Sequence, residues 1–149
     1  MSVLTRAALL GLATGGRSTA GLTALALSHS AATGALGSRW TRRLTGTAAA
    51  GEFVGDKLPQ TPSRLQPEGL APRLVLGALT GAVLSHREGG NRNRALLAGA
   101  LGLLGATAGS RMGVSWRQLA SRRFGRDLPG ALIEDAWCAA AARYASRRR

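Results

Sequence analysis

The chain has 149 residues and a formal net charge of +13, with 20 Lys or Arg against 7 Asp or Glu. Aromatic residues make up 4% and glycine occurs 21 times, so a soluble core of large side chains would bury little apolar area per residue. A single cysteine, Cys138, excludes an intramolecular disulfide; His29 and His86 have no Cys or acid at ligand spacing, so no metal site is read. Walker, GxSxG and GxGxxG motifs are absent, so no enzymatic activity and no cofactor is expected.

Residues 1–28 hold two apolar runs, 7–14 and 20–27, flanking Gly15-Gly16-Arg17-Ser18. A secretory signal needs one uninterrupted apolar region, and Arg17 breaks it, although Ala24-Leu25-Ala26 passes as a cleavage site. A transit peptide fits the lack of acid before Glu52, but the rest of the chain is equally rich in Arg. The preferred reading is a transmembrane segment, about 3–28, broken at 15–18. Arg17 then faces the bundle interior or snorkels to the interface.

Residues 29–43 read as a polar loop with Trp40 at an interface. A short apolar segment follows at 44–57. Residues 58–73 carry Pro59, Pro62, Pro67 and Pro72 and cannot form one helix. Segments 69–86 and 94–112 make an antiparallel hairpin around a tight polar loop. Both are near or below the ~20 residues of a straight span. Residues 110–126 set Met112, Trp116 and Leu119 against Arg111, Arg117, Arg122 and Arg123, as in a basic segment lying on a membrane, or an ordinary solvated linker. Asp127 is placed to cap a last helix, about 128–145, with Pro129 in its first turn. GxxxG pairs fall at Gly11/Gly15, Gly51/Gly55, Gly77/Gly81, Gly105/Gly109 and Gly109/Gly113, in or beside apolar runs.

Lys57 is the only lysine; the arginine excess, with that of Ala and Gly, reads as a GC-rich coding bias. The positive charge suits anionic lipid or nucleic acid. Its spread between the apolar runs favours lipid, and no nucleic acid is expected. The charges with most to explain are acidic. Glu52 and Asp56 share a helix face by i,i+4 spacing, at a helix end whose dipole disfavours anions. Arg17, Lys57 and Arg64 are their candidate partners. Glu134 and Asp135 form a second pair near the start of the last helix. Ionisable groups at membrane depth are costly and are functional candidates; at helix ends in water they merely neutralise nearby arginines.

Gly16-Arg17-Ser18, then Glu52-x-x-x-Asp56-Lys57-x-Pro59, then Thr61-Pro62-Ser63-Arg64, then Glu134-Asp135-Ala136 together resemble the bacterial membrane-protein family known as domain of unknown function 4126. The likeness runs from Leu9 to about Ala142, and Gly16 stands where that family has an apolar residue. The resemblance implies an integral inner-membrane protein of several short helices and implies no activity. By motif match it singles out Arg17, Glu52, Asp56, Lys57, Arg64, Glu134 and Asp135.

The expectation is therefore all-α: a small glycine-rich integral membrane protein, one domain over 1–149, with about four short or broken transmembrane helices plus a C-terminal helix. It is multi-pass in the inner (plasma) membrane, contacts anionic lipid, and is a candidate homo-oligomer. These seven charged residues form an intramembrane polar site for passage of a proton, ion or small solute. The alternative is a structural membrane protein that binds anionic lipid or partner helices, with a soluble nucleic-acid-binding protein as a third reading.

Overall fold

A computed structural model describes residues 1–28, 38–55, 65–126 and 128–147, with the side chains of 41, 42, 49 and 52–55 left aside. The described residues form six helices and no strand: α1 (Val3–Gly16), α2 (Ala20–Leu27), α3 (Arg39–Gly55), α4 (Pro67–Arg87), α5 (Arg92–Phe124) and α6 (Leu128–Ser146).

Local chemistry explains where most of these helices start and stop. The Ser2 hydroxyl accepts from the Thr5 amide and caps α1. Arg17 is extended and ends it. Pro67 occupies the first turn of α4, where its missing N–H costs nothing. Pro72 lies one turn further in, yet the helix continues. Asn91 caps α5 by accepting from the Arg94 amide, and Gly125, at φ 65°, closes it in the left-handed conformation.

The long helix α5 is the axis of the fold. Its 33 residues extend about 50 Å. It carries a row of small residues, and α1 and α4 press their own glycines against it. A Cβ on Gly81 would run into the Ala98 carbonyl; one on Gly11 would run into that of Gly102; one on Gly109 into that of Leu12. Four of the five GxxxG pairs lie on α1, α4 and α5; in the fifth, Gly51 has no neighbour within 4 Å. The small core joins Val3, Ala7, Leu10, Leu25, Leu84, Ala98, Ala142 and Ala145.

The large apolar side chains point the other way. Leu96, Leu97 and Leu104 on α5 are 64%, 59% and 61% exposed. Val75 and Leu79 on α4 are likewise exposed, while Gly77, Gly81, Gly99, Gly102 and Gly105 are buried. Among the described residues α5 is the one helix long and apolar enough to cross a membrane, and α1 is a shorter apolar helix.

Three features depart from expectation. The first segment is not one interrupted span, because the chain turns back at residues 17–19. Ser110 donates to the Gly15 carbonyl at the far end of α1, whereas the Arg87 guanidinium, at the α4–α5 loop, donates to the Leu25 carbonyl at the end of α2. Gly21 lies against Thr14 and Thr80 on the way back. So α1 and α2 form a hairpin that enters and leaves at the same end of the bundle. The second departure is that residues 110–124 are not a separate surface segment but the second half of α5. That stretch has no proline, and its arginines are good helix formers. Helix α3 also begins earlier than the apolar run, at Arg39, and rests against α2, where the Thr23 hydroxyl reaches the Thr45 carbonyl at 3.4 Å.

Candidate functional site

Arg17 leaves α1 where the chain reverses, and Asp135 faces it from the second turn of α6. The Arg17 Nε donates to Asp135 Oδ1 at 2.6 Å, and Nη2 reaches the same oxygen. Both side chains are largely withdrawn from solvent, at 12% and 17% exposure. The approach of α6 depends on Gly16: a Cβ there would collide with the Cys138 sulfur. The second carboxylate oxygen of Asp135 is buried and accepts no hydrogen bond from the described residues. It remains an acceptor for a proton or a bound donor.

The position of this pair along the bundle is fixed by Ser110, which bonds to Gly15 two residues away. That level is close to the C-terminal edge of the apolar stretch of α5, not its middle. Arg17, Thr19, Thr23, Asp135, Arg143 and Arg147 contribute the polar lining of a cleft of about 590 Å³ between α2 and α6.

Glu134 points to the other side of α6. Its carboxylate is 5% exposed, with Arg117 Nη1 3.8 Å away. It opens on a second, apolar cavity of about 270 Å³ between α1, α5 and α6. Cys138 is buried and borders both spaces. Trp116 is held at the edge of the second cavity by donating from Nε1 to the Gly130 carbonyl at 2.9 Å.

Of the residues singled out from sequence, Arg17 and Asp135 are paired, while Glu134, next to Asp135 in the chain, faces the other cavity. The pairing crosses the two sets in which the charges were grouped, since Arg17 was a candidate partner for Glu52 and Asp56. Glu52 lies near the end of α3, with its side chain outside the described residues. Asp56, Lys57, Arg64 and the candidate cap Asp127 also lie outside the described residues.

Sequence reasoning passed over a second cluster, at the opposite end of the bundle. Arg6 is buried; its Nη1 bonds Glu88 Oε1 at 2.5 Å and its Nε donates to the Ala145 carbonyl at 2.7 Å. One guanidinium thus ties α1 to the ends of α4 and α6. Away from that cluster, near the start of α4, Arg73 is also buried and donates to the Gly69 carbonyl at 2.7 Å. The available clue was a lone arginine inside an apolar helix, which must find acceptors when buried; nothing in the spacing identified them.

No group of three or more His, Cys, Asp or Glu able to hold a metal occurs among the described residues. Comparison with protein-family models, with curated proteins and with solved structures finds no match to this chain.

Proposed function

We propose that the chain is a multi-pass protein of the bacterial inner membrane, with a polar site at Arg17, Asp135 and Glu134 that serves passage of a proton, ion or small solute. The observation that carries the membrane reading is the inverted packing. Leucines of α5, with Val75 and Leu79 of α4, face outward while glycines of both helices face inward. Each such leucine gains up to about 1.5–3 kcal/mol in hydrocarbon. Small inward residues suit helices that associate through close van der Waals contact in lipid. In this reading α4 and the first twenty or so residues of α5 span the bilayer. The α1–α2 hairpin dips in and returns, with its non-helical turn covered by protein.

The likeness to domain of unknown function 4126 belongs to the same proposal. It is supported by Arg17 and Asp135, which come from the first and last of the shared motifs and meet in space. The passage reading is supported by a partly buried ion pair at a chain reversal, beside a cleft. Helix breaks of this kind present free main-chain groups in transporters.

A second, structural reading has its own support. Arg6 and Arg87 donate to main-chain carbonyls of neighbouring helices, which is what cations do when they serve only to lock a bundle. Two measurements separate the readings. Alkaline carbonate extraction leaves an integral protein in the membrane pellet and releases a soluble one. Flux across proteoliposomes, compared between the wild type and Asp135→Asn, Glu134→Gln and Arg17→Gln, falls if the polar site conducts. Flux indistinguishable from protein-free vesicles overturns the passage reading.

A further inference from the structure

We propose that the cleft between α2 and α6 holds one anionic membrane lipid, its head at Arg143 and Arg147 and one acyl chain along the alanines of both helices. The inference names a ligand for the cleft beside the polar site, and it rests on the membrane part of the preceding reading, not on passage. A chain that retains the lipid and conducts nothing loses only the passage reading. A chain that conducts and retains no lipid loses only this one.

The sign of the charge is set by two arginines. Arg143 and Arg147 are four positions apart, share one face of the α6 end and both line the cleft. Neither makes a hydrogen bond or ion pair with the described residues. The C-terminal end of α6 accommodates these cations without an acid, but like charges at this spacing repel. A phosphate beside them relieves the repulsion, and the planar guanidinium fork matches its oxygens. Asp135 is the only acid lining the cleft. It lies about 12 Å further in along α6 and is paired with Arg17. It leaves the two arginines uncompensated and keeps an anion out of the inner end.

The depth of the cleft points the same way. Arg6 ties the Ala145 carbonyl, which lies between the two arginines in the chain, to Glu88. Arg87 ties the end of α2 to the α4–α5 loop. The outer end of the cleft is therefore level with that loop, just before the apolar stretch of α5 begins. In the membrane reading this is headgroup depth, where arginines attract anionic lipid.

Inward from the arginines the wall turns apolar: Ala20, Ala24 and Leu27 of α2 face Ala139 and Ala142 of α6. The small side chains leave room, and the volume of about 590 Å³ lies within the ~300–1,000 Å³ of ligand pockets. A chain gains little by leaving the bilayer for this wall, since lipid tails are equally apolar. Selection therefore falls on the head, while the wall distinguishes a lipid from a free anion, which would leave it uncovered.

The test is native mass spectrometry of the full chain in nonionic detergent micelles, with phosphatidylglycerol and zwitterionic phosphatidylcholine of equal chains as probes. One saturable phosphatidylglycerol, bound at least about tenfold tighter than phosphatidylcholine, is expected. The double change Arg143→Gln, Arg147→Gln is expected to remove most of that preference. Arg92→Gln, Arg94→Gln removes two exposed charges at the same end but outside the cleft, and is expected to keep it. Ala139→Trp fills the cleft from an exposed position and is expected to weaken phosphatidylglycerol binding by about fivefold or more. Inorganic phosphate at equal concentration is expected to leave the lipid in place. Equal retention of the two lipids, an equal loss in both arginine variants, or displacement by phosphate overturns the proposal. Should the cleft arginine variant not fold, the two lipids on the native chain and the Ala139→Trp comparison decide.

Discussion

Arg17 and Asp135 stand 118 positions apart in the chain and share one largely shielded ion pair, at the point where α1 ends and α6 packs across it. The contact fixes the reversal between α1 and α2 to the C-terminal helix. Removing one member leaves the other charge underpaired away from water, which costs about 3–5 kcal/mol for a fully buried pair. Arg17→Gln and Asp135→Asn are each expected to destabilise the protein markedly in detergent. The double variant is expected to fall short of the sum by about 1–3 kcal/mol. Thermal unfolding of the four proteins checks this, and strictly additive effects would remove the pair as an energetic unit.

Gly102 lies between two helices at once. Its own Cβ would strike the Gly77 carbonyl of α4, and its carbonyl is what a Cβ on Gly11 of α1 would strike. Neither neighbour is a flexible side-chain end, so Gly102→Ala is expected to cost at least the about 1–3 kcal/mol of an overpacked core. Gly51→Ala is the control. Nothing lies within 4 Å of that Cβ, so the helix gains about 0.5–1 kcal/mol from losing a mid-helix glycine. Melting temperatures moving in opposite directions check both.

Arg6 uses two different nitrogens for two different partners, Glu88 and the Ala145 carbonyl. A lysine keeps the charge but not the fork. Arg6→Lys is expected to cost about 1–2 kcal/mol through the lost hydrogen bond, and Arg6→Met more, since Glu88 then loses its cation. Equal melting temperatures for both variants would show that the charge contributes nothing there, and an Arg6→Lys variant as stable as wild type would show that charge alone matters.

Trp116 carries one hydrogen bond from α5 to the Gly130 carbonyl near the start of α6. Trp116→Phe keeps most of the ring and removes the donor. A loss of about 1 kcal/mol is expected, measured by chemical unfolding in mild detergent.

Much of the helical layout was legible in the sequence. The Gly15-Gly16-Arg17 break, the proline-marked start of α4 and the polar loop before α5 are local signals, and local signals decide helix ends. The direction taken after the break was not legible. A hairpin and an interrupted span have the same composition, and only the contacts of Thr14 with Gly21 and of Arg87 with Leu25 distinguish them. The extension of α5 to Phe124 was missed because a change from apolar to basic composition resembles a boundary, although it leaves helix propensity intact. For the site, the Glu134-Asp135 pair was visible as adjacent acids. That they face opposite cavities follows from the roughly 100° between successive helix positions, but which cavity each meets depends on the packing of α6. Arg17 was a candidate partner of Glu52 and Asp56, and its pairing with Asp135, 118 positions away, leaves no trace in the spacing.

The most direct measurement concerns sidedness. In a Cys138→Ser background, single cysteines at Ser2, Ser28, Arg92 and Leu65 are labelled in intact spheroplasts and in inverted vesicles with a membrane-impermeant maleimide. A re-entrant α1–α2 hairpin beside spanning α4 and α5 places Ser2, Ser28 and Arg92 on one side and Leu65 on the other. Labelling of Ser2 and Ser28 from opposite sides contradicts the hairpin, and labelling of all four from the same side contradicts a membrane-spanning α4.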